Sequence, residues 1–366
     1  MSRNTNSLAS EIGNKLKQMK LPPLPATPLI SIIIANYNYA RYIGEAIESV
    51  LAQTYQHFEI IVCDEGSTDD SRDVVSRYQE TDSRLRLLCK ENGGLASALN
   101  TAYAACRGEI VCLLDADDVF LPDKLEELVG AFRKSKTCGV CIHRISKIRR
   151  DGSTFSYPRP QFLIKGWVAA QALHNGARVK NLPPASGLAF RKTITDLLFP
   201  LSISLRGLAD GYISHTAQFF TEICAVNKVL AKQRIHGDNI TSSDGFTVAT
   251  IRRFLEDARL ATTLMKERLA TAYGPRVASV LRIEDNAQYW SFLLALHVLT
   301  GDGSKEVCGI PLESVVQNIR PYRQRLLAQL LLALPPRLSL VALQAWTGQS
   351  AGTAMVARTA RSFLRI

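Results

Sequence analysis

Three carboxylates stand within four residues at the end of one apolar segment. The segment EIVCLL (109–114) is typical of a buried strand, and it is followed by Asp115, Asp117 and Asp118. Carboxylates this close repel one another unless a cation neutralises them. A hard divalent ion such as Mn²⁺ or Mg²⁺ binds carboxylate oxygens and still accepts phosphate oxygens as ligands. The cluster therefore predicts a site for a metal-bound diphosphate, and an acidic loop capping the next helix is the structural alternative.

Two more polar segments follow apolar, strand-like runs nearer the amino terminus. SIII (31–34) leads into Asn36 and Asn38, and EIIVC (59–63) leads into Asp64. Ligands of open α/β sheets bind beyond the carboxyl ends of the strands, so folding would bring the three polar clusters to one edge. Asp64 is placed there to accept hydrogen bonds from a nucleobase or a ribose. The following GSTDD (66–70) is equally typical of a turn and a helix N-cap.

Paired glycines, Gly93 and Gly94, precede a helix predicted from Leu95. Glycines at a helix start allow close backbone approach and present N–H groups to an anion, so Gly94 is a candidate contact for the same ligand. A simple strand-to-helix turn is the alternative. Neither GxGxxG nor GxxxxGK[ST] occurs in the chain, which argues against a dinucleotide fold or a P-loop.

Strand and helix patterns alternate from residue 29 to about 134, which predicts a mainly parallel sheet covered on both faces. Before it, residues 1–28 form a polar extension with helical spacing of apolar residues and a proline-rich linker, LPPLPATP. The region from about 139 to 245 is less regular. After residue 247 the pattern is mostly helical. We therefore divide the chain into an extension (1–28), a nucleotide-binding domain (29–246) and a helical C-terminal region (247–366).

At this point the chain resembles the inverting family 2 glycosyltransferases of GT-A fold. The resemblance rests on SIIIANYNYARYIGEAIESVLAQTY (31–55), EIIVCDEGSTDDS (59–71) and ENGGLASALNTAYAACRGEIVCLLDADD (91–118), and more loosely on 186–240. It implies an α/β GT-A domain with a mainly parallel mixed sheet. It also implies a nucleotide-sugar donor, UDP-linked, and metal-assisted transfer with inversion to a carbohydrate or lipid-linked acceptor, in synthesis of cell-surface polysaccharide or lipopolysaccharide.

The resemblance also implies roles for individual residues. Asp64 would contact the nucleobase, and Asp115 the ribose or metal region. Asp117 would bind the metal on the diphosphate, and His236, in RIHGDNIT, would contact the metal or the diphosphate. Asp210, in LADGY, matches the catalytic base. The segment SGLAFR (186–191) resembles the acceptor-side loop of the family.

Three positions depart from the family pattern. Ala35 replaces a proline, Glu65 replaces an aspartate, and Ala209 replaces an acidic residue that often precedes the base. The last departure leaves open a non-catalytic protein that binds nucleotide sugar or membrane. The Asp115-x-Asp117 pattern also occurs in haloacid dehalogenase phosphatases, but there it follows the first strand, whereas three strand–helix units precede it here.

The net charge of +11 indicates an anionic partner. Residues 314–366 carry seven arginines and no Asp or Glu, beside a leucine-rich run (326–334) too short to span a bilayer, which takes roughly 20 residues. This favours peripheral contact with an anionic membrane over nucleic acid, and a helical tail packed on its own core is the alternative. Residues 1–20 lack the apolar core of a signal peptide, so we expect a cytoplasmic protein, peripheral on the inner face of the membrane if the tail binds it.

Overall fold

The computed structural model describes residues 2–236, 247–300, 305–319, 328–329 and 332. Within them, eight strands form one sheet: β1 (Ile30–Asn36), β2 (Phe58–Asp64), β3 (Leu85–Cys89), β4 (Ile110–Asp115), β5 (Val119–Phe120), β6 (Cys138–Ile148), β7 (Leu188–Arg191) and β8 (Glu222–Arg234). Their order is β3-β2-β1-β4-β7-β6-β8-β5. Strands β3, β2, β1 and β4 are parallel, and so are β6 and β8. Strand β7 is antiparallel to both neighbours, and β5 is antiparallel to β8. The predicted mainly parallel, mixed sheet is confirmed.

Twelve helices are described around the sheet: α1 (Ser2–Lys15), α2 (Ala40–Leu51), α3 (Ser71–Thr81), α4 (Leu95–Ala104), α5 (Lys124–Lys134), α6 (Ala169–His174), α7 (Lys192–Thr195), α8 (Ala209–Ala217), α9 (Val248–Tyr273), α10 (Pro275–Val280), α11 (Ala287–Thr300) and α12 (Leu312–Asn318). Strands β9 (Glu306–Val307) and β10 (Ile310–Pro311) form a separate antiparallel pair. Helices α2 to α5 lie where the apolar periodicity places them, each after a strand of the parallel half.

The central strands are covered by apolar residues on both faces of the sheet. Successive side chains of a strand point to opposite faces, so neighbouring residues enter different apolar layers. On β1, Ile32 and Ile34 join an apolar cluster that includes residues of α2 and α5. Ile33 belongs to a second cluster, with residues of α4 and α1. The sheet therefore sits between two apolar layers, and in β1, β2 and β4 the polar residues lie at or next to the strand ends.

The amino-terminal extension contributes to this core. On α1, Ala9 and Ile12 are buried, and the following Leu16 is buried as well. A Cβ atom added at Gly13 would lie 2.7 Å from Ala170 Cβ, so the glycine allows α1 to approach α6 closely. The boundary at residue 28 stays a prediction, but the helix before it packs on the sheet domain.

The C-terminal region is helical, as expected. Helix α9 begins with a capping box at Thr247 and connects two apolar clusters. Its Met265 and Leu269 join the main core, whereas Ile251 and Leu255 pack with residues of α11 and α12. Among the described residues, no helix is long and apolar enough to cross a bilayer. The arginine- and leucine-rich stretch 314–366 lies mostly outside the described residues, so the expected membrane contact stays a prediction.

Candidate active site

The carboxyl ends of three parallel strands bring the predicted polar clusters together. In the sheet register, Asn36 pairs with Asp64, and Ala35 pairs with Asp115. The ends of β2 and β4 therefore flank the end of β1. This geometry follows from the parallel pairing of the strands, and it produces one polar edge from segments far apart in sequence.

Asp64 is fully buried and forms four hydrogen bonds at this edge. Oδ1 accepts from Arg72 Nε (2.8 Å) and from the Ser67 backbone N–H (2.9 Å). Oδ2 accepts from Asn36 Nδ2 (2.7 Å) and Ser67 Oγ (2.5 Å). Burial opposes ionisation, but the bonds from Arg72, Ser67 and Asn36 outweigh it and lower the pKa of Asp64. Asp64 is thus held as an anion. Its bonds to Ser67 stabilise the turn after β2, which the sequence analysis gave as the structural alternative to ligand binding.

Asn38 holds the loop after β1 against the loop after β2. Its φ of +60° is in the left-handed region, which asparagine tolerates better than most residues. Its backbone N–H donates to Ser67 Oγ (2.9 Å), and its side-chain oxygen accepts from the Thr68 N–H (2.8 Å). In this structure Asn38 therefore stabilises the contact between the loops that follow β1 and β2.

The glycine pair lies beside the same edge. Gly94 has φ +84°, and a Cβ atom added there would meet nothing within 4 Å, so it borders open space. Its N–H donates to Asn92 Oδ1 (3.2 Å), and the N–H of Gly93 donates to Glu65 Oε1 (3.1 Å). Glu65, at the position where an aspartate is common in the family, anchors the glycine loop to β2. Both glycine N–H groups have protein acceptors, so anion binding by Gly94 would require exchange of a hydrogen bond.

The three aspartates after β4 concentrate negative charge in a tight turn. Asp117 and Asp118 are buried, and Asp115 is half-buried. Burial, together with the neighbouring carboxylates, raises the pKa of Asp115 well above its usual range and that of Asp118 to about 8. The surroundings therefore favour the neutral carboxyl groups, and a bound cation would stabilise the ionised ones.

His236 reaches Asp117 from the end of β8. Its Nε2 lies 2.9 Å from Asp117 Oδ2, and its ring stacks on Tyr42 with centroids 4.8 Å apart. Arg234 fixes this arrangement, since its Nε donates to Asp117 O (3.0 Å) and its backbone N–H donates to Asp118 Oδ1 (2.9 Å). The structure thus joins two residues that the sequence analysis assigned to the metal.

Asp210 is the second residue of α8 and is half-buried. Burial raises the pKa of Asp210, although the charge of Arg178 opposes the shift. The charge of Asp210 in turn helps to raise the pKa of Asp115. The proposed base and the acidic turn therefore lie close enough to interact electrostatically. Arg178 was not identified from the sequence, because a lone arginine in an irregular region gives no pattern.

Lys124 is a second residue that the sequence analysis missed. Its side chain is fully buried, and its Nζ donates to Ser186 O (2.7 Å) and lies over the Phe120 ring. Ser186 Oγ in turn accepts from the Asp115 N–H (3.2 Å). Burial lowers the pKa of Lys124 to about 7. A signal was available, because Lys124 lies four residues before Leu128 and so shares the buried face of α5.

The donor set at Asp117 and His236 suits a divalent cation. Carboxylate oxygen and imidazole nitrogen are ligands that Mn²⁺ accepts, and Mg²⁺ commonly binds through one or two carboxylates with substrate phosphates completing the shell. Across the described ranges, no group of three or more His, Cys, Asp or Glu side chains is arranged around one metal position. A metal at Asp117 and His236 would therefore take its other ligands from the diphosphate and water.

Known sequences resemble part of this chain. Residues 31–183 match the model of glycosyl transferase family 2. Over 212 residues the chain is 39% identical to an uncharacterized glycosyltransferase of Nostoc sp., which covers 57% of this chain and 66% of that protein. Over 233 residues it is 30% identical to the chondroitin synthase of Escherichia coli, covering 62% of this chain and 32% of the synthase. The chain thus spans just under two thirds of the first relative and a third of the second.

The fold is also found among solved structures. The structure of S. aureus TarS 1-349 in complex with UDP-GlcNAc has a TM-score of 0.51 with this chain, at 17% identity. The similarity covers 88% of this chain and 93% of the TarS chain. It establishes that the sheet and its helices adopt a GT-A-type architecture, as the sequence resemblance implied.

Proposed function

Because this chain belongs to glycosyl transferase family 2, we propose that it transfers a sugar from a nucleoside-diphosphate sugar to an acceptor hydroxyl with inversion. A UDP-linked donor is the best candidate, since the TarS structure of the same fold contains UDP-GlcNAc. A divalent ion, Mn²⁺ or Mg²⁺, would assist the transfer. The similarity to a chondroitin synthase favours a role in the synthesis of a cell-surface polysaccharide or lipopolysaccharide.

One observation carries the proposal: nucleotide-binding and metal-binding candidates meet at one sheet edge, with a candidate base nearby. Asp64 lies beside Asn36 in the register, and Asp115 pairs with the preceding residue of β1. Asp117 contacts His236, and the charge of Asp210 contributes to the raised pKa of Asp115. A purely structural acidic loop would not require contact between Asp117 and a histidine that follows β8.

In the proposed reaction, Asp210 accepts the proton of the acceptor hydroxyl as its oxygen attacks the anomeric carbon of the donor. The bond from that carbon to the diphosphate breaks at the same time, and the nucleoside diphosphate leaves with the electron pair. A raised pKa suits this role, since a base works best when its pKa approaches the working pH. A single in-line displacement inverts the configuration of the anomeric carbon.

The other residues bind and orient the donor. Asp64 is held ionised by Arg72 and would contact the nucleobase, and Asn36 keeps Asp64 in position. Asp115 borders the ribose, while Asp117 and His236 would hold the metal, which supplies positive charge to the departing diphosphate. Lys124 and Ser186 brace the backbone of Asp115 from the acceptor side. The acceptor is a carbohydrate or a lipid-linked carbohydrate.

Calorimetric titration of the full chain with UDP, GDP and UDP-GlcNAc, with and without Mn²⁺, tests the proposal. We expect Mn²⁺-dependent binding that prefers the uridine nucleotides and weakens by about a hundredfold in Asp117→Ala. Glu80→Ala removes an exposed carboxylate near the end of α3, away from the site, and serves as the control. If no nucleotide binds to the wild-type protein at any metal concentration, the proposal is wrong. Donor binding without transfer to any acceptor would indicate a non-catalytic nucleotide-sugar-binding protein instead.

A further inference from the structure

Half of the exposed large apolar side chains in the described part of the molecule lie within eight consecutive residues. Of six such side chains, Phe155 is 42%, Tyr157 87% and Phe162 75% exposed. They belong to the segment 147–165, which we name the aromatic hairpin. Clustered exposure of this kind marks an interaction surface more often than isolated exposed residues do.

The aromatic hairpin is an ordered extension of the sheet. It turns back after β6, so that Thr154 forms a bridge with Ile148 and Arg159 forms one with Ile145. Arg144 Nη1 donates to Pro160 O (3.2 Å), and Gly166 forms a bridge with Ile223 at the end of the segment. Its aromatic rings are therefore held at the surface by a supported backbone.

The hairpin is strongly basic. It contains five cationic residues and one acidic residue, Asp151, whose Oδ1 accepts from the Ser153 N–H (2.9 Å). The cationic residues are Lys147, Arg149, Arg150, Arg159 and Lys165. Burial, together with the charge of Arg159, lowers the pKa of Lys147. Such a surface attracts an anion.

The hairpin is joined to the candidate active site on two sides. Arg234, which binds Asp117 O, also donates through Nη1 to the carbonyl oxygens of Arg149 and Arg150 (both 3.3 Å). On the other side, Arg159 of the hairpin forms its bridge with Ile145 of β6, and Ile145 Cδ1 lies 3.4 Å from the position of a Cβ atom added at Gly187, in the turn that carries Ser186. The hairpin thus begins beside the predicted metal ligands and pairs with a strand residue that lies next to the predicted acceptor-side loop.

From this juxtaposition we propose that the aromatic hairpin binds the acceptor, and that the acceptor is a carbohydrate chain bearing acidic groups. The proposal rests on the glycosyltransferase function proposed above. Sugar rings stack on exposed aromatic faces, and arginine and lysine bind carboxylate, sulfate or phosphate substituents. A chain held along the hairpin would lie beside the predicted metal ligands and the acceptor-side loop.

The distribution of apolar residues favours a glycan over a membrane surface. The large side chains that the hairpin exposes are aromatic, whereas its aliphatic Leu163 and Ile164 pack against the core. A membrane anchor would bury aliphatic side chains together with aromatic ones in the lipid. The position beside the transfer site also suits an acceptor more directly than it suits a bilayer.

The test compares binding of three probes to the full-length protein and to hairpin variants. The probes are oligosaccharides of hyaluronan and polygalacturonate, neutral chitin oligosaccharides of equal length, and vesicles with and without phosphatidylglycerol. Tyr157→Ala/Phe162→Ala removes the rings, and Arg159→Gln/Lys165→Gln removes charge. Leu8→Ala/Arg77→Gln changes an exposed apolar and an exposed basic side chain on α1 and α3 and is the matched control.

We expect wild type to bind an acidic oligosaccharide, and both hairpin variants to bind it about tenfold more weakly, with the control unchanged. UDP affinity in the presence of Mn²⁺ stays constant in all variants, which separates this proposal from the proposed function. Absence of binding to every acidic oligosaccharide, or equal affinity in wild type and hairpin variants, overturns the proposal. If the hairpin variants lose binding to phosphatidylglycerol vesicles but not to acidic oligosaccharides, the hairpin is a membrane-binding surface and the proposal is wrong.

Discussion

The amino end of β2 and the acidic turn after β4 hold their carboxylates in opposite ways. At the amino end, Glu59 on β2 is 1% exposed, and its oxygens accept from Ser31 Oγ (2.6 Å), Arg86 Nη2 (3.0 Å) and Arg107 Nε (2.9 Å). Burial opposes its ionisation, yet the bonds from Ser31 and Arg107 outweigh it and lower the pKa of Glu59. The charge is neutralised within the protein.

Strand β4 leads into an acidic turn whose surroundings disfavour the carboxylate anions, in contrast to the surroundings of Glu59 and Asp64. The pKa values of Asp115, Asp117 and Asp118 are all raised, with burial as the first cause. Buried charge is costly unless it is paired, so this turn is destabilised by its own composition. The comparison indicates that the Glu59 network contributes stability, whereas the turn after β4 would gain stability from a ligand that brings positive charge.

The largest expected effect concerns the base near the acidic turn. Asp210→Asn keeps the size of the side chain but cannot accept a proton, so we expect kcat to fall about a thousandfold. Donor affinity should stay unchanged, because Asp210 is assigned to the acceptor. Initial rates at saturating donor and calorimetry with UDP measure the two quantities. A variant that retains the wild-type rate would remove Asp210 from the mechanism.

The second prediction concerns the Glu59 network. Glu59→Gln replaces the ionised acceptor of two arginines, so we expect the free energy of unfolding to fall by about 2 kcal/mol. Urea denaturation followed by circular dichroism measures it. Donor binding should be unaffected, since Glu59 lies at the opposite edge of the sheet. Glu80→Gln, at an exposed position on α3, is the control and should leave the stability unchanged.

The third prediction is a gain in stability, in contrast to the loss expected for Glu59→Gln. Asp118→Asn removes a buried carboxylate from the acidic turn while its side-chain oxygen can still accept from the Arg234 N–H. We expect the metal-free protein to become more stable by about 1 kcal/mol, and transfer activity to decrease. Thermal unfolding with and without Mn²⁺ measures this, because bound metal should reduce the gain. A destabilised, fully active variant would show that the turn is structural.

The smallest effect is the pH dependence of the Glu59 network. The pKa of Glu59 is 4.5 in the unfolded chain and lower in the folded protein. Its ionised carboxylate therefore stabilises the fold fully above pH 4.5, and this contribution is lost as the pH falls through the folded pKa. The difference in unfolding free energy between wild type and Glu59→Gln should therefore be largest at neutral pH and become smaller below pH 4.5. Urea titrations at several acidic pH values measure it, and a constant difference would contradict the assignment.

The sequence predicted the parallel half of the sheet well, because its signals are local. Continuous apolar runs such as those of β1, β2 and β4 indicate strands buried on both faces, and the helices between them show a regular apolar spacing. The polar residues that follow these strands could be placed at one edge by topology alone. Long-range pairs such as Asp117 with His236 were expected only through family resemblance, since their positions are separated by most of the domain.

By itself, then, the sequence determined the fold class, the first four strands with the helices that follow them, and the position of Asn36, Asp64 and Asp115 at strand ends. Only the tertiary structure decided that β7 enters between β4 and β6, that α1 packs into the core, and that Lys124 braces Ser186. The reason is physical. Periodicity records which face of an element is buried, but the contacts between distant elements depend on how all of them pack together.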